Sequence, residues 1–118
     1  VLADPLYASG DLFLMPSSFE PCGISQMLAM RDGQPCVVHG VGGLRDTIRH
    51  GVTGFVFGGE TVSEQADNFV ATTLAALALR TRYSDSWNAL CARARQLRFS
   101  WGLAARRTID ELYRLDDE

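Results

Sequence analysis

Residues 11–57 decide the fold, and they read DLFLMPSSFEPCGISQMLAMRDGQPCVVHGVGGLRDTIRHGVTGFVF. Three short runs in this stretch are apolar and rich in branched or aromatic side chains, a composition typical of buried strands. We expect strands at residues 11–15, 35–39 and 55–57. The segments between these runs have helical character. Strands and helices that alternate at this spacing predict βαβ units and a parallel sheet.

Two helices are expected between the three strands. The first should begin at Pro21, because the missing N–H of a proline costs no hydrogen bond at the first helical position. Asp32 and Gly33 should end it. The second should run from about Leu44 to Arg49, after a glycine-rich turn.

The sequence beyond residue 60 predicts helices only. Thr61 and Glu64 have the spacing of a capping box at the start of a long amphipathic helix. Two further helices are expected at residues 86–97 and 103–115. We expect Trp87 and Trp101 to pack against the sheet or between helices.

These elements predict one α/β unit over residues 1–118, with a βαβαβ part up to about residue 60 and a helical part over 61–118. A parallel sheet of about three strands is thin, since such sheets usually need both faces covered. Half of a doubly wound, Rossmann-like domain therefore fits better than a complete one. Because the sequence begins with Val1 and not with methionine, we expect it to be a processed or truncated piece of a longer protein.

Composition narrows the classes of protein and partner. The formal net charge is −3 and all 11 basic residues are arginines, which argues against nucleic acid as the main partner. No apolar run approaches the roughly 18 residues of a membrane helix, and no secretory signal is visible. The three cysteines and two histidines lack metal-ligand spacing, so we expect no metal, no disulfide frame and a reducing, cytoplasmic setting.

The segment Phe19-Glu20-Pro21-Cys22-Gly23-Ile24-Ser25 carries the strongest chemical signal. It places a carboxylate in the loop after a strand, at the edge of the sheet where open α/β folds bind ligands. The amides of Cys22, Gly23 and Ile24 are expected at the start of the next helix, where they would be unpaired and favour an anion such as a phosphate. The Ser25 hydroxyl can donate to a phosphate oxygen. Alternatively, Glu20 only caps the helix and Gly23 only eases packing.

A second glycine-rich turn, Val41-Gly42-Gly43-Leu44, follows the next strand and should lie at the same edge of the sheet. His39 ends that strand beside the turn. It is expected either to contact a ligand or to be a packed or half-solvated histidine. The residues alone leave both open.

The strings MPSSFEPCGISQMLAMRDGQP, GVGGLRDTIRHGVTGFVF and RFSWGLAARRTIDELY closely resemble the end of bacterial glycogen synthases and plant starch synthases. The resemblance spans essentially all 118 residues, in order. It implies a GT-B fold, in which two Rossmann-like domains enclose the active site. It also implies transfer of glucose from ADP-glucose to the growing end of an α-1,4-glucan, with retention of configuration and no cofactor, in the cytoplasm or, for a plant protein, the plastid.

Site residues follow from the resemblance position by position. It implies that Glu20 is the active-site glutamate beside the transferred sugar. It implies that the backbone amides of Cys22, Gly23 and Ile24 hold glucose hydroxyls and that Ser25 binds a donor phosphate. The same pocket would be lined by the turn Gly42, Gly43 and Leu44.

Two departures from the family matter. Many retaining GT-B enzymes have a second glutamate eight positions after the first, on the nucleotide ribose, and here that position is Leu28. The family's lysine-x-glycine-glycine loop, and the arginine and lysine on the donor diphosphate, precede this segment, and the sequence contains no lysine. We therefore expect this segment to be inactive without the missing N-terminal domain. Two alternatives stay open: another retaining GT-B transferase with a different donor or acceptor, or a non-catalytic remnant that binds a sugar nucleotide or a partner.

Overall fold

The computed structural model describes residues 2–113, so the predicted end of the last helix, Arg114 and Leu115, lies outside the described residues. In chain order the elements are α1 (Ala3–Ser9), β1 (Phe13–Met15), α2 (Ser25–Arg31), β2 (Cys36–His39), α3 (Gly42–Thr47), β3 (Phe55–Phe57), α4 (Val62–Arg82), α5 (Ser84–Gln96) and α6 (Trp101–Leu112).

The three strands form one parallel sheet in the order β1-β2-β3. Phe13 pairs with Cys36 at one junction, and Val38 pairs with Val56 at the other. Because every connection between parallel strands must cross back over the sheet, the helices cover its faces. The α/β class and the three-strand parallel sheet predicted from the sequence are confirmed.

The middle strand β2 separates two hydrophobic cores and is buried along its whole length. Side chains alternate between the two faces of a strand, and this alternation divides β2 between the cores. Cys36 and Val38 pack into the core formed with α2 and α3. Val37 packs into the core formed with β3, α4 and α5. Both faces of the sheet are therefore covered, as a parallel sheet requires.

The long helix α4 begins with the capping box that the sequence predicts. The Glu64 amide donates to Thr61 Oγ1 at 3.2 Å, and the Thr61 amide donates to Glu64 Oε2 at 3.2 Å. These reciprocal bonds satisfy two amides that the helix itself leaves unpaired. Two further bonds hold this end of α4 to the segment that follows β3, because Gln65 and Asn68 donate to the carbonyls of Gly59 and Gly58.

The start of α2 was predicted wrongly. The helix begins at Ser25 with Ile24 as its N-cap, and Pro21 lies four residues before the first helical position. Gly23 adopts a φ of +75°, a left-handed conformation that interrupts a right-handed helix. The loop after β1 is therefore longer than expected, and it includes the residues predicted for the first helical turn.

Four other helices depart from the prediction. The short helix α1 was not predicted, and it buries none of its residues. Helix α3 begins at Gly42, so the two glycines belong to its first turn and not to a flexible turn before it. Helices α5 and α6 each begin two residues before the predicted position, at Ser84 and Trp101, and α6 buries none of its residues.

The two tryptophans behave differently. Trp87 is 7% exposed and its ring lies parallel to that of Phe55, with 6.3 Å between the ring centroids, so its predicted packing is confirmed. Trp101 is 91% exposed, and the prediction that it packs is wrong. Among residues 2–113, no helix combines the length and the apolar character needed to cross a membrane.

Candidate functional site

The candidate site lies at the carboxyl ends of the parallel strands. The loop of residues 16–24 leaves β1 there, and residues 40 and 41 leave β2 beside it. Since neighbouring parallel strands end at the same edge of a sheet, the two loops meet. The sequence predicted this meeting, and the contacts between Glu20 and Gly43 confirm it.

The two glycines of α3 pack directly on the backbone of the loop after β1. The Gly43 amide donates to the Glu20 carbonyl oxygen at 3.1 Å. A Cβ on Gly43 would fall far inside 3.0 Å of the Cys22 carbonyl oxygen, and one on Gly42 would do the same at the Glu20 carbonyl oxygen. Gly42 also has a φ of +46°. Both positions therefore need glycine, because only a residue without a side chain lets the two backbones approach this closely.

Glu20 is half-buried in this loop. Within the described part of the chain its carboxylate makes no hydrogen bond or ion pair. The alternative that Glu20 caps α2 is wrong, since the N-cap residue is Ile24 and no side chain caps the helix. The structure thus leaves this carboxylate available to a ligand at the sheet edge.

The amides of Cys22, Gly23 and Ile24 lie in the turn that precedes α2. None of the three donates a hydrogen bond to another group of residues 2–113. Cys22 and Ile24 are exposed, whereas Gly23 is buried. Three successive free amides and a free carboxylate in the same loop can bind the hydroxyl groups of a polar ligand, as donors and acceptor respectively.

Ser25, Leu44 and Leu28 differ in how close their side chains lie to the free amides. Ser25 is the first residue of α2 and is half-buried, one residue from the free amides. Leu44 has a fully buried side chain in the core with α2, so only its backbone lies near the site. Leu28, at the position of the family's second glutamate, lines an apolar groove of about 340 Å³ with Ile24 and Met27. The polar side chains that line this groove are Arg31, Arg98 and Ser100, and none of them is a carboxylate.

Gln26 also belongs to this site, although it was not predicted from the sequence. Its side chain is fully buried, and its Nε2 donates to the Gly23 carbonyl at 2.8 Å and, more weakly, to the Cys22 carbonyl at 3.4 Å. The same nitrogen lies 3.3 Å from Thr47 Oγ1 on α3. A glutamine on the helix face that also carries Ala29 and Met30 was the signal that could have revealed it, because a polar group on a buried face needs partners.

His39 is packed at the end of β2. Only 7% of it is exposed, its Nδ1 lies 3.0 Å from the Ser17 carbonyl oxygen, and its ring stacks on Phe57 with centroids 5.1 Å apart. Because a carbonyl can only accept, Nδ1 carries the proton in this contact. The histidine fixes the beginning of the loop after β1, and these contacts favour the packed interpretation over a ligand role.

The thiols differ in exposure. Burial raises the pKa of Cys36 to about 12. Burial is also the main cause that raises the pKa of Cys91. The Cys36 thiol therefore stays protonated and unreactive near neutral pH, whereas the Cys22 thiol is exposed in the loop of Glu20. No cluster of histidine, cysteine and acidic side chains suited to a metal ion occurs in residues 2–113.

A parallel α/β sheet with a free carboxylate and free amides at its carboxyl edge defines a Rossmann-like ligand-binding unit. A family profile described as "Glycosyl transferases group 1" matches residues 2–76, more than half of the chain. The chain belongs to this family of group 1 glycosyl transferases.

Individual relatives agree with the family. The chain is 45% identical over 115 residues to a glycogen synthase of Streptococcus pneumoniae (strain CGSP14). That match covers 92% of this chain and 23% of the relative, so the chain spans about a quarter of the length of the glycogen synthases it matches. The resemblance to glycogen and starch synthases found in the sequence is confirmed.

Solved structures show the same fold. The catalytic domain of starch synthase IV from Arabidopsis thaliana, bound to ADP and acarbose, is 30% identical, with a TM-score of 0.79 over 92% of this chain and 23% of that chain. An Anabaena protein, HepE, in complex with UDP and glucose is 25% identical, with a TM-score of 0.58 over 86% of this chain and 24% of that chain. The Rossmann-like fold of a GT-B carboxy-terminal domain is confirmed by the first of these matches.

Proposed function

We propose that the intact protein is a retaining glucosyltransferase that moves glucose from ADP-glucose to the non-reducing end of an α-1,4-glucan. The observation that supports this proposal is a free carboxylate, Glu20, in the same loop as the free amides of Cys22, Gly23 and Ile24, in a chain 45% identical to a glycogen synthase. In this proposal, residues 1–118 are one part of the carboxy-terminal domain. The amino-terminal domain supplies the other wall of the active site, and this segment alone is inactive.

The proposed roles follow from the charges that develop during transfer. A retaining transfer passes through a sugar with oxocarbenium character, so positive charge grows at the anomeric carbon. Glu20 stabilises that charge through its carboxylate. The amides of Cys22, Gly23 and Ile24 orient the glucose by donating to its hydroxyl groups.

The leaving diphosphate carries negative charge that also needs stabilisation. Ser25 donates its hydroxyl to a phosphate oxygen in this proposal. Gly42 and Gly43 have no side chain, which lets the backbone of the Glu20 loop pack directly on α3. Leu44 contributes only its backbone to that turn.

The choice of donor rests on the relatives. The starch synthase IV catalytic domain is bound to ADP, and it is more similar to this chain than the UDP-bound Anabaena protein. We therefore propose ADP-glucose, with acarbose in the same relative supporting an α-glucan acceptor. Cytoplasmic location, or plastid location in a plant, belongs to the same proposal, as does the absence of nucleic acid and membrane partners.

The test uses the full-length gene product that contains this sequence. Transfer of labelled glucose to glycogen is measured with ADP-glucose and with UDP-glucose, for the wild-type protein, for Glu20→Gln and for a matched control, Glu60→Gln. Glu60 is an exposed glutamate before α4, outside the site. We expect Glu20→Gln to lower kcat by about 10²–10³-fold with a small change in donor KM, since it removes a charge needed in the transition state.

The outcomes separate the alternatives. A wild-type protein that transfers faster from UDP-glucose would replace the proposed donor. One that binds ADP-glucose without transferring it would favour the non-catalytic alternative. Wild-type turnover in Glu20→Gln would remove Glu20 from the mechanism.

A further inference from the structure

Gln26 is the most deeply buried polar side chain near the candidate site. It is fully buried on α2, and Ala29 and Met30 of the same helix are fully buried in the adjoining core. A buried amide is tolerated when its polar atoms find partners. Its Nε2 has three oxygen neighbours, while its Oε1 has no hydrogen-bond partner in the described residues. The nitrogen therefore holds this side chain in place.

The partners of Nε2 fix how the amide group is turned. The Gly23 and Cys22 carbonyls can only accept, so the nitrogen and not the oxygen of Gln26 must face them. The Thr47 hydroxyl donates to the Gly43 carbonyl at 2.7 Å, which leaves Thr47 Oγ1 to accept from Gln26. One side chain thus joins the loop after β1 to α3.

The carbonyls that Gln26 holds belong to the peptide groups that carry the free amides of Gly23 and Ile24. In a trans peptide the N–H points opposite to the C=O, and the described chain has no cis peptide. Because the Cys22 carbonyl turns toward Gln26, the Gly23 amide turns away from it. The Gly23 carbonyl fixes the Ile24 amide in the same way. The φ of +75° at Gly23 allows two successive carbonyls to face one side.

We propose that Gln26 is a positioning residue, whose buried amide group orients the peptide planes of Cys22–Gly23 and Gly23–Ile24 so that the Gly23 and Ile24 N–H groups face the transferred sugar. This inference rests on the proposed function for the identity of the ligand. The orientation of the two peptide planes does not depend on that identity. Gln26 acts through the loop and touches no reacting atom.

The full-length protein and three variants test this role. Gln26→Met keeps the length of the side chain and removes both donors. Thr47→Val keeps the shape of Thr47 and removes the link from Gln26 to α3. We expect it to lower kcat/KM as Gln26→Met does, but by less. Gln34→Met is the matched control: Gln34 is 4% exposed and its Nε2 also lies near two backbone carbonyls, those of Leu6 and Tyr7 in α1, away from the site.

Kinetics and binding distinguish positioning from general support of the fold. We expect Gln26→Met to lower kcat/KM for ADP-glucose by about 30- to 100-fold, through both a higher KM and a lower kcat. The Kd for ADP should stay within about twofold, because ADP carries no glucose for the two amides to hold. Gln34→Met should leave KM, kcat and the Kd for ADP within about twofold of the wild-type values. It should lower the melting temperature about as much as Gln26→Met does.

Crystal structures of the wild type and Gln26→Met complete the test, with Thr47→Val in its place if Gln26→Met does not fold. We expect at least one of the two peptide planes to rotate, so that the Gly23 or Ile24 amide leaves its wild-type direction. Unchanged planes would overturn the inference even in a protein without transferase activity. Unchanged kinetics of Gln26→Met beside an active wild type would overturn it while leaving the proposed function intact.

Discussion

The substitution Gly43→Ala tests the contact on which the candidate site is built. Gly43 lies in the first turn of α3, and its amide donates to the Glu20 carbonyl. A Cβ here would overlap three backbone atoms of Cys22, the carbonyl oxygen, the carbonyl carbon and Cα. Backbone atoms cannot turn aside as a flexible side chain can, so the loop that carries Glu20 must move.

The magnitude follows from three contributions. Displacement of a packed segment by an extra methyl group costs about 1–3 kcal/mol. Loss of the bond from the Gly43 amide to Glu20 costs about 1 kcal/mol. Alanine favours a helix over glycine by about 1 kcal/mol, which offsets part of this cost. We therefore expect a net destabilisation of about 1–3 kcal/mol. Because a shift of about 1 Å in a reacting group can cost about 10²-fold in rate, we expect turnover to fall by that order.

The assay compares Gly43→Ala with Gly102→Ala in the full-length protein, by chemical denaturation and by glucose transfer. Gly102 lies in α6, and a Cβ there would meet nothing within 4 Å. Its replacement should leave stability unchanged or raise it by about 0.5–1 kcal/mol, with unaltered turnover. Wild-type stability and wild-type turnover in Gly43→Ala would refute the close approach of α3 to the Glu20 loop.

Three further predictions concern the cores and the cap of α4. Burial raises the pKa of the Cys36 thiol to about 12 in the folded state, whereas an unfolded thiol ionises near 9. The free energy of unfolding should therefore fall as pH rises from about 9 toward 12. At pH 8, thiol labelling followed by mass spectrometry should modify Cys22 and leave Cys36 intact until the protein unfolds. Labelling of Cys36 in the folded protein at pH 8 would contradict its burial. Thr61→Ala removes the capping box and should cost about 1 kcal/mol in denaturant titrations, and no loss would show that the box adds nothing. Trp87→Ala should lower the free energy of unfolding by about 3–5 kcal/mol, whereas Trp101→Ala should lower it by less than about 0.5 kcal/mol in this chain. Equal losses would contradict the different burial of the two side chains.

The strands and the long helix could be predicted from the sequence because local patterns encode them. Branched and aromatic residues mark β2 and β3 to within one residue, and the pair Thr61 and Glu64 marks the start of α4. The meeting of the Glu20 loop with α3 followed from topology alone, since parallel strands end at one edge.

Features that depend on distant contacts could not be predicted. The left-handed φ of Gly23 delays α2 until Ser25, although the proline before it is typical of a helix start. Gln26 shares a helix face with Ala29 and Met30, which indicates its burial, but its partner Thr47 lies 21 residues away and no local pattern identifies it. Trp101 has the apolar side chain of a core residue, yet it remains 91% exposed in this segment. Short α1 has no buried face that a periodic pattern could have shown.

A crystal structure of the full-length protein with ADP and glucose bound tests most directly whether the Glu20 loop binds the transferred sugar. We expect the glucose to lie at the carboxyl edge of the sheet, with its hydroxyl groups within about 3.2 Å of the Gly23 and Ile24 amide nitrogens. The carboxylate of Glu20 should lie beside the anomeric carbon, and Ser25 should face the diphosphate. A glucose bound elsewhere, with these amides and Glu20 free of contact, would show that this loop is not the sugar site.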